Sequence, residues 1–233
     1  MRYKQSLIGI GWAVFQPLAA VSLVTYGFRN HDIGGDIPYP LFAAIGFMFW
    51  FFFSNSLLKV SSSIVVNSGI ITKVYFPRAI IPISGIFVQV ADFFAGSLVV
   101  AGLLFYYGIG VTWEGVLAYI LMLIVLCVSC IGIGLVTSAL NARYRDVQFF
   151  LPFLIQVMIF VSPVIYPLDH VVGSAWQYLN PLVSTIDIAR TGLLNPEAIS
   201  WMHAGLALLV SLAYFAVGLL FFLKADKNIT DEI

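Results

Sequence analysis

The sequence has few charged residues, and this scarcity excludes most kinds of water-soluble domain. Only 9% of the 233 residues are Asp, Glu, Lys or Arg, while 61% are hydrophobic and the mean hydropathy is +1.00. A domain in water could not hide so much apolar surface. The composition therefore predicts a membrane protein whose main solvent is the lipid bilayer.

The sequence also lacks the motifs of an enzyme. No Lys follows a Gly-rich loop in the pattern G-x-x-x-x-G-K-S/T, so any nucleotide hydrolysis must come from a separate chain. No paired carboxylates, Ser/His/Asp set or metal-ligand spacing is present, and His31, His170 and His203 are far apart. Cys127 and Cys130 form C-x-x-C inside an apolar stretch, where we interpret them as packing residues. The chain is not expected to be an enzyme by itself, and we expect no cofactor and no metal in it.

Six apolar stretches dominate what is present. Each has about the twenty residues that a helix needs to cross the hydrocarbon core. They lie at 7–28, 39–58, 80–107, 115–140, 149–168 and 201–223. The first stretch has no A-x-A-like cleavage site, so we expect it to remain in the protein. The sequence predicts an all-α, polytopic membrane protein with six transmembrane helices and one domain over residues 1–233.

The basic residues predict the orientation of this bundle. Nine of the eleven Lys and Arg fall on one side of the predicted map: Arg2, Lys4, Lys59, Lys73, Arg78, Arg143, Arg145, Lys224 and Lys227. Arg29 and Arg190 fall on the other side, among six acidic residues. Because cytoplasmic loops carry the excess of Lys and Arg, the sequence places both termini in the cytoplasm.

The outer segment at 169–200 is long for a simple connection. Asn180-Pro181 is typical of a helix cap and first turn, and residues 182–194 have helical apolar spacing. Irregular backbone at membrane depth must be buried in protein or line a cavity. We therefore predict short re-entrant helices in the outer leaflet between the fifth and sixth spans.

Asp92, near the middle of the third span, is the one ionisable residue well inside a stretch. Such groups are functional candidates, but an ion-coupled transporter normally needs a chain of them. We favour a structural hydrogen-bonding role for Asp92, with an ion site as the alternative.

Aromatic residues are abundant, with 20 Phe, 11 Tyr and 5 Trp. On three spans they share a face with hydroxyl or amide side chains, a pattern that suits the passage of sugar rings. The candidate channel-lining residues are Trp12, Phe15, Ser22, Tyr26, Phe49, Phe53, Ser56, Phe149, Phe153, Gln156 and Phe160. The alternative is that these faces only pack against helices or lipid.

Several motifs resemble one family along essentially the whole chain. They are RYKQSLIG at 2–9 with Trp12-Ala13 and Gln16-Pro17, KVYFPR at 73–78 with IIP at 80–82, LNARYRDV at 140–147, SPVIYP at 162–167 and LNPL at 179–182. Together they resemble the membrane subunits of ABC-2 type polysaccharide exporters. Those permeases move O-antigen, related glycans and teichoic acids across the bacterial inner membrane.

The resemblance implies a homodimer with a channel along the subunit interface and two copies of a cytoplasmic ABC ATPase, which would bind ATP and Mg. It implies that Lys73, Val74, Tyr75, Phe76, Pro77 and Arg78 couple the ATPase to the helices, and that Arg143, Tyr144, Arg145 and Asp146 form a cytoplasmic gate. Arg2 and Lys4 would attract the pyrophosphate of a lipid-linked glycan, or would only anchor the first helix. Members of that family usually carry an amphipathic interfacial helix before the RYK segment, whereas this sequence starts at that segment.

The expected function is therefore that of a permease subunit of an ATP-driven exporter for lipid-linked, O-antigen-like polysaccharide in the bacterial inner membrane. The expected partners are a second copy, the ATPase, the glycan and membrane lipids, with no nucleic acid. The alternatives are an ABC-2 exporter of teichoic acid, drugs or small lipids, and a membrane-embedded glycosyl- or acyltransferase. A transferase needs acidic or His residues that converge on one face, and the scattered acids speak against it.

Overall fold

The computed structural model describes residues 11–28, 37–71, 77–167 and 179–232, and within these residues there are helices and turns but no β-strand. Within these described ranges, seven helices have 14 or more residues and one is a single turn. In chain order they are α1 (Gly11–Phe28), α2 (Tyr39–Val66), α3 (Ser68–Ile71), α4 (Ile80–Tyr106), α5 (Trp113–Arg143), α6 (Val147–Val161), α7 (Pro181–Leu194) and α8 (Trp201–Glu232). A short 3-10 helix, Pro196–Ala198, lies between α7 and α8. The all-α prediction is confirmed for the described residues.

Four of these helices are long and apolar enough to cross a membrane: α2, α4, α5 and the part of α8 at Trp201–Ala225. α1 has 18 residues, and α6 is apolar but has only 15. These helices make the chain a multi-pass membrane protein. The count of six spans remains a prediction.

The predicted end of the second span was too early. α2 continues from residue 58 to Val66 through three consecutive serines. The hydroxyl groups of Ser62 and Ser63 donate to the carbonyls of Leu58 (2.9 Å) and Val60 (2.6 Å), so they bond within their own helix and do not interrupt it. The Asn67 amide then donates to the Ser63 carbonyl at 2.7 Å, where the helix ends.

The predicted fifth span was too long at its outer end. α6 stops at Val161, although we expected the span to reach residue 168. Ser162 adopts an extended backbone (φ −109°, ψ 147°), because the residue before a proline is disfavoured in the helical region. Residues 162–167 form turns and bends in place of a last helical turn.

α5 lies at the centre of the bundle, where it packs against α8, α2 and α7, while α2 also packs against α4 and α1. Close approach of α5 and α8 depends on glycine. A Cβ atom at Gly132 would overlap the Tyr214 carbonyl group, and one at Gly218 would overlap the Gly132 carbonyl oxygen. Small residues at helix crossings are the usual device for close packing where no water drives association.

Buried hydroxyls and rings tie the same helices together. Ser129 on α5 donates to Ser211 on α8 at 2.7 Å, and the hydroxyls of Ser97 on α4 and Tyr119 on α5 lie 3.0 Å apart. The Phe49 ring on α2 contacts the rings of Phe93 and Tyr119 edge-on, at centroid distances of 5.3 and 5.2 Å. Such edge-to-face contacts add to the energy of burial and fix the rotation of the helices.

Candidate functional site

The aromatic face of α1 lies on the surface of the protomer. Trp12, Phe15, Ser22 and Tyr26, which we call the α1 face, are all exposed, and Tyr26 is 72% exposed. The Trp12 and Phe15 rings pack edge-on with centroids 5.5 Å apart. α1 uses its other side to pack against α2 and α4.

The aromatic face of α6 is exposed as well. Phe149, Phe153 and Phe160 are 73%, 63% and 71% exposed, and Gln156 is exposed between them. We call these four residues the α6 face. They occur at steps of four, three and four residues, which places them on one side of a helix. Leu151 and Ile155 are the buried residues of α6, so this helix packs along one narrow line and presents its rings outward.

The three predicted lining residues of α2 lie elsewhere. Phe49, Phe53 and Ser56 have exposed fractions of 0%, 1% and 0% and belong to the protomer interior. Phe49 contacts the rings of Phe93 and Tyr119 there. The same helical spacing therefore gives a surface on α1 and α6 and a packed core on α2, since α2 is covered by α1, α4, α5 and α7.

A polar cavity lies between α1, α2 and α4. Its volume is about 290 Å³, and its polar lining consists of Gln16, Asn55, Gln89 and Asp92. The remaining lining residues are mostly apolar: Trp12, Ala13, Pro17, Met48, Phe51, Phe52 and Phe93. Asp92 and Gln89 lie near the middle of α4 and Asn55 lies near the middle of α2, so the cavity is at mid-depth of the bundle. Of the four polar lining residues, only Asp92 was a candidate in the sequence analysis.

Arg190 anchors the end of the bundle at which α2 begins and α6 ends. It is 6% exposed, and its guanidinium donates to the carbonyls of Phe42 (Nε, 3.0 Å), Val164 (Nη2, 2.6 Å) and Pro163 (Nη1). Its Cζ atom also lies 3.6 Å from the centroid of the Phe42 ring. One side chain thus joins α7, the start of α2 and the turn that follows α6. We call this arrangement the Arg190 anchor.

The position of Arg190 was predicted to be on the outer side, but its burial was not predicted. Burial lowers the pKa of the Arg190 guanidinium to about 9, and the nearby Asp187 carboxylate opposes this shift. The group therefore stays protonated at neutral pH. Gly46 makes room for it, because a Cβ atom at Gly46 would overlap Nη2 of Arg190 and the Val164 carbonyl oxygen.

α7 itself agrees with the predicted cap. Asn180 accepts a hydrogen bond from the Leu182 backbone N–H at 3.0 Å, and Pro181 is the first helical residue. Eleven of the fourteen residues of α7 are buried, and the helix packs against α5, α2 and α8. α7 is therefore part of the packed bundle and not a surface loop.

The predicted gate residues form the tight turn between α5 and α6. Arg143, Tyr144, Arg145 and Asp146 are all exposed, and the Arg143 guanidinium lies 5.4 Å from the centroid of the Tyr144 ring. The Asp146 carbonyl accepts the backbone N–H groups of Phe149 and Phe150 at 3.1 and 3.0 Å. This turn therefore sets the direction in which α6 leaves α5.

Part of the predicted coupling segment precedes α4. Pro77 is exposed and Arg78 is half-buried, and their carbonyls accept the N–H groups of Ile80 and Ile81 at 3.1 and 3.2 Å. Other predicted residues lie outside the described residues: Arg2, Lys4, His31, Lys73, Val74, Tyr75, Phe76 and His170.

The remaining candidates are unremarkable in their surroundings. Cys127 is half-buried and Cys130 is buried, both on α5. His203 lies in the first turn of α8, where its backbone N–H meets the Ser200 hydroxyl at 3.5 Å. Within the described ranges, no group of three or more His, Cys, Asp or Glu side chains could hold a metal ion.

Comparison with known proteins gives a consistent result. Residues 1–194 match the family described as ABC-2 type transporter. The O-antigen export system permease protein RfbA of Klebsiella pneumoniae is 31% identical over 210 residues, which cover 87% of this chain and 81% of that protein. The protein of the same name in Myxococcus xanthus is 31% identical over 78% of this chain and 72% of its own length. The polysialic acid transport protein KpsM of Escherichia coli is 26% identical over 91% of this chain and 84% of its own length.

Proposed function

The chain belongs to the ABC-2 type transporter family, and we propose that it is the permease subunit of an ABC exporter that moves polysaccharide across the bacterial inner membrane. The observation that carries this proposal is the coverage of nearly the whole chain by relatives named as O-antigen and polysialic acid exporters. The cargo is a lipid-linked, O-antigen-like glycan.

The translocation path runs between two copies of the chain. The α1 and α6 faces support this proposal, because both present rings together with an amide or hydroxyl to the outside of the protomer. Gln156 is costly to expose to lipid, since an amide in hydrocarbon lacks hydrogen-bond partners. Between two copies, the rings would stack on the apolar faces of sugars while Gln156 and Ser22 bond to hydroxyl groups. Phe49, Phe53 and Ser56 have no part in this lining because they are buried.

The energy comes from a separate cytoplasmic ABC ATPase, in two copies, that binds ATP and Mg. The absence of a G-x-x-x-x-G-K-S/T element from the sequence supports this part of the proposal. The segment 73–78 receives the motion of the ATPase and passes it to α4 through Pro77 and Arg78, while the exposed turn at 143–146 forms the cytoplasmic gate. Arg2 and Lys4 bind the pyrophosphate of the lipid carrier.

In the proposed topology, α1 and α6 complete a six-helix membrane domain, with both termini in the cytoplasm. The basic residues at 59–78 and 143–145 support this orientation. α7 then lies in the outer leaflet as a re-entrant helix. The Arg190 anchor supplies hydrogen bonds to carbonyls of the irregular turn at 162–167, as backbone at that depth requires.

The function is tested by deleting the gene in its own host and measuring surface glycan on gels and by lectin binding. We expect surface glycan to disappear and lipid-linked glycan to accumulate inside the cell. The wild-type gene should restore the surface glycan. A variant with Phe149, Phe153 and Phe160 all replaced by Ala should restore at most a small fraction of it.

Phe150→Ala is the matched control, because Phe150 is 60% exposed on the same helix but lies off the α6 face. We expect this variant to export normally. Unchanged surface glycan after gene deletion, accompanied by altered drug resistance, would contradict the proposed cargo. Full rescue by the triple variant would contradict the proposed path.

A further inference from the structure

The proposed function leaves the polar cavity between α1, α2 and α4 without a role. Resting on that function, we propose that the polar cavity is a side pocket that binds a single sugar unit of the glycan in transit. Its position at mid-depth in the bundle, its size, its lining and its opening each support this assignment.

The volume suits a small organic molecule. Small-molecule sites have volumes from about 300 Å³ upward, and the polar cavity measures about 290 Å³. One water molecule takes about 30 Å³ in the liquid, so the cavity has the space of a whole sugar ring. A single cation bound directly by Asp92 would leave most of this space to water.

The lining combines the two kinds of surface that a sugar presents. The amides of Gln16, Asn55 and Gln89 both donate and accept hydrogen bonds, as sugar hydroxyls do, and the Asp92 carboxylate accepts them. Four aromatic rings line the same cavity: Trp12, Phe51, Phe52 and Phe93. They offer flat apolar surface to the C–H groups of a ring. A cation site would be built from oxygen ligands with no need for aromatic walls.

Gln89 is the most buried of the four polar lining residues. Its exposed fraction is 2%, and it lines the cavity. Buried polar groups are almost always paired with protein or water. The cavity is therefore the space in which this amide meets water or the hydroxyl groups of a ligand.

The cavity opens toward the proposed path. Trp12 is 48% exposed and Gln16 is exposed, and both also line the cavity. Trp12 belongs to the α1 face as well. A glycan that slides along this face can therefore turn one unit into the cavity without leaving the path.

Binding is tested on the dimeric permease with its ATPase in nanodiscs, by saturation-transfer-difference NMR. The probes are galactose, mannose, rhamnose and N-acetylglucosamine, each supplied alone. We expect at least one of them to give a signal with the wild-type chain. Q89L should weaken its binding about fivefold or more, the ratio expected from loss of one hydrogen bond. A13L should abolish binding, because it fills the cavity while leaving every polar group in place.

Q148L is the matched control, since Gln148 is exposed at the start of α6 and far in sequence from the cavity residues. It should bind as the wild type does. Size-exclusion profiles and circular dichroism check that the variants fold. If Q89L does not fold, A13L alone tests the proposal. Two outcomes would overturn the proposal and leave water as the occupant. In the first, no monosaccharide gives a signal with the wild type. In the second, Q89L and A13L give the same signal as the wild type. A sodium-23 NMR signal that depends on Asp92, without a sugar signal, would overturn it in favour of a cation site.

An export assay separates this inference from the proposed function. In cells, A13L should slow the appearance of surface glycan, whereas Q148L should not. Normal glycan export by A13L would contradict the proposed role of the polar cavity but would not affect the proposed permease function. A wild-type chain that exports no glycan would overturn both.

Discussion

Replacement of Arg190 removes one side chain that joins three parts of the fold. In Arg190→Met, the stem of the side chain can still pack, but the carbonyls of Phe42, Pro163 and Val164 lose their guanidinium donors. The Phe42 carbonyl lies in the first turn of α2, whereas the other two lie in the irregular turn after α6. The turn therefore has the most to lose, since it has no helical hydrogen bonds of its own to fall back on.

The magnitude follows from the hydrogen bonds. A buried acceptor without a partner costs about 1–3 kcal/mol, so the two turn carbonyls together cost about 2–6 kcal/mol. Removal of the guanidinium also removes the cost of burying its charge, which offsets part of the loss. We expect Arg190→Met to lower the free energy of unfolding by about 2–4 kcal/mol. Arg190→Lys should recover less than half of this loss, because a compact ammonium cannot reproduce the planar fork.

The assay is unfolding in mixed micelles, followed by circular dichroism as the fraction of denaturing detergent rises. Arg145→Ala is the control, because Arg145 is exposed in the turn after α5, and it should change stability by no more than about 0.5 kcal/mol. Gly46→Ala provides a second perturbation at the same place, since the added Cβ atom overlaps the Arg190 guanidinium. Its effect should be smaller in the Arg190→Met background, with a coupling of about 1–3 kcal/mol, because the overlap with Arg190 is removed while the overlap with the Val164 carbonyl oxygen remains.

Two results would refute this reasoning. The first is an Arg190→Met protein as stable as the wild type, which would mean that the turn carbonyls find other donors at no cost. The second is full rescue by Arg190→Lys, which would mean that charge alone matters and the fork geometry does not.

Three further predictions follow from helix contacts and from the exposed α6 face. Gly132→Val should separate α5 from α8 and cost about 1–3 kcal/mol or more in unfolding free energy, whereas Gly102→Val, at a glycine with open space around it, should cost little. Ser129→Ala should lower stability by about 0.5–1.5 kcal/mol through loss of its bond to Ser211, and an unchanged stability would show that this bond contributes nothing. Gln156→Cys should give crosslinked dimers with a short bifunctional thiol reagent if the α6 faces of two copies meet. Leu209→Cys, on the exposed surface of α8, should not give crosslinked dimers. Equal crosslinking of the two variants would argue against an interface between α6 faces.

Several helix boundaries could be predicted from short segments of the sequence. The start of α4, the start of α8 and the cap of α7 follow from local signals, namely apolar length, prolines and the Asn180-Pro181 pair. The errors occurred where local signals conflicted. The serines at 61–63 suggested a loop, but the hydroxyls of Ser62 and Ser63 donate to carbonyls of their own helix, and that of Ser61 donates to the Thr137 carbonyl on α5. In the fifth span, apolar length outweighed the signal of Ser162-Pro163 in our prediction, and the helix in fact ends there.

The candidate surfaces show a second limit. Helical spacing identified one-sided aromatic faces on α1, α2 and α6, but spacing does not say what covers a face. Phe49 and Phe53 are covered by α4, α5 and other parts of the core, whereas Phe149, Phe153 and Phe160 are uncovered in the protomer. The polar cavity was missed for a related reason. Gln16, Asn55 and Gln89 lie on three different helices, α1, α2 and α4, and each lies in a mostly apolar stretch.

The sequence by itself determined the bilayer environment, the helical class and the family, because apolar length and short motifs are local properties of the chain. Only the tertiary structure decided which faces are covered, that four polar side chains share one cavity, and that Arg190 joins the turn after α6 to the start of α2. These features depend on residues up to 148 positions apart. Their proximity is set by how the helices cross, and no single stretch of sequence carries that information.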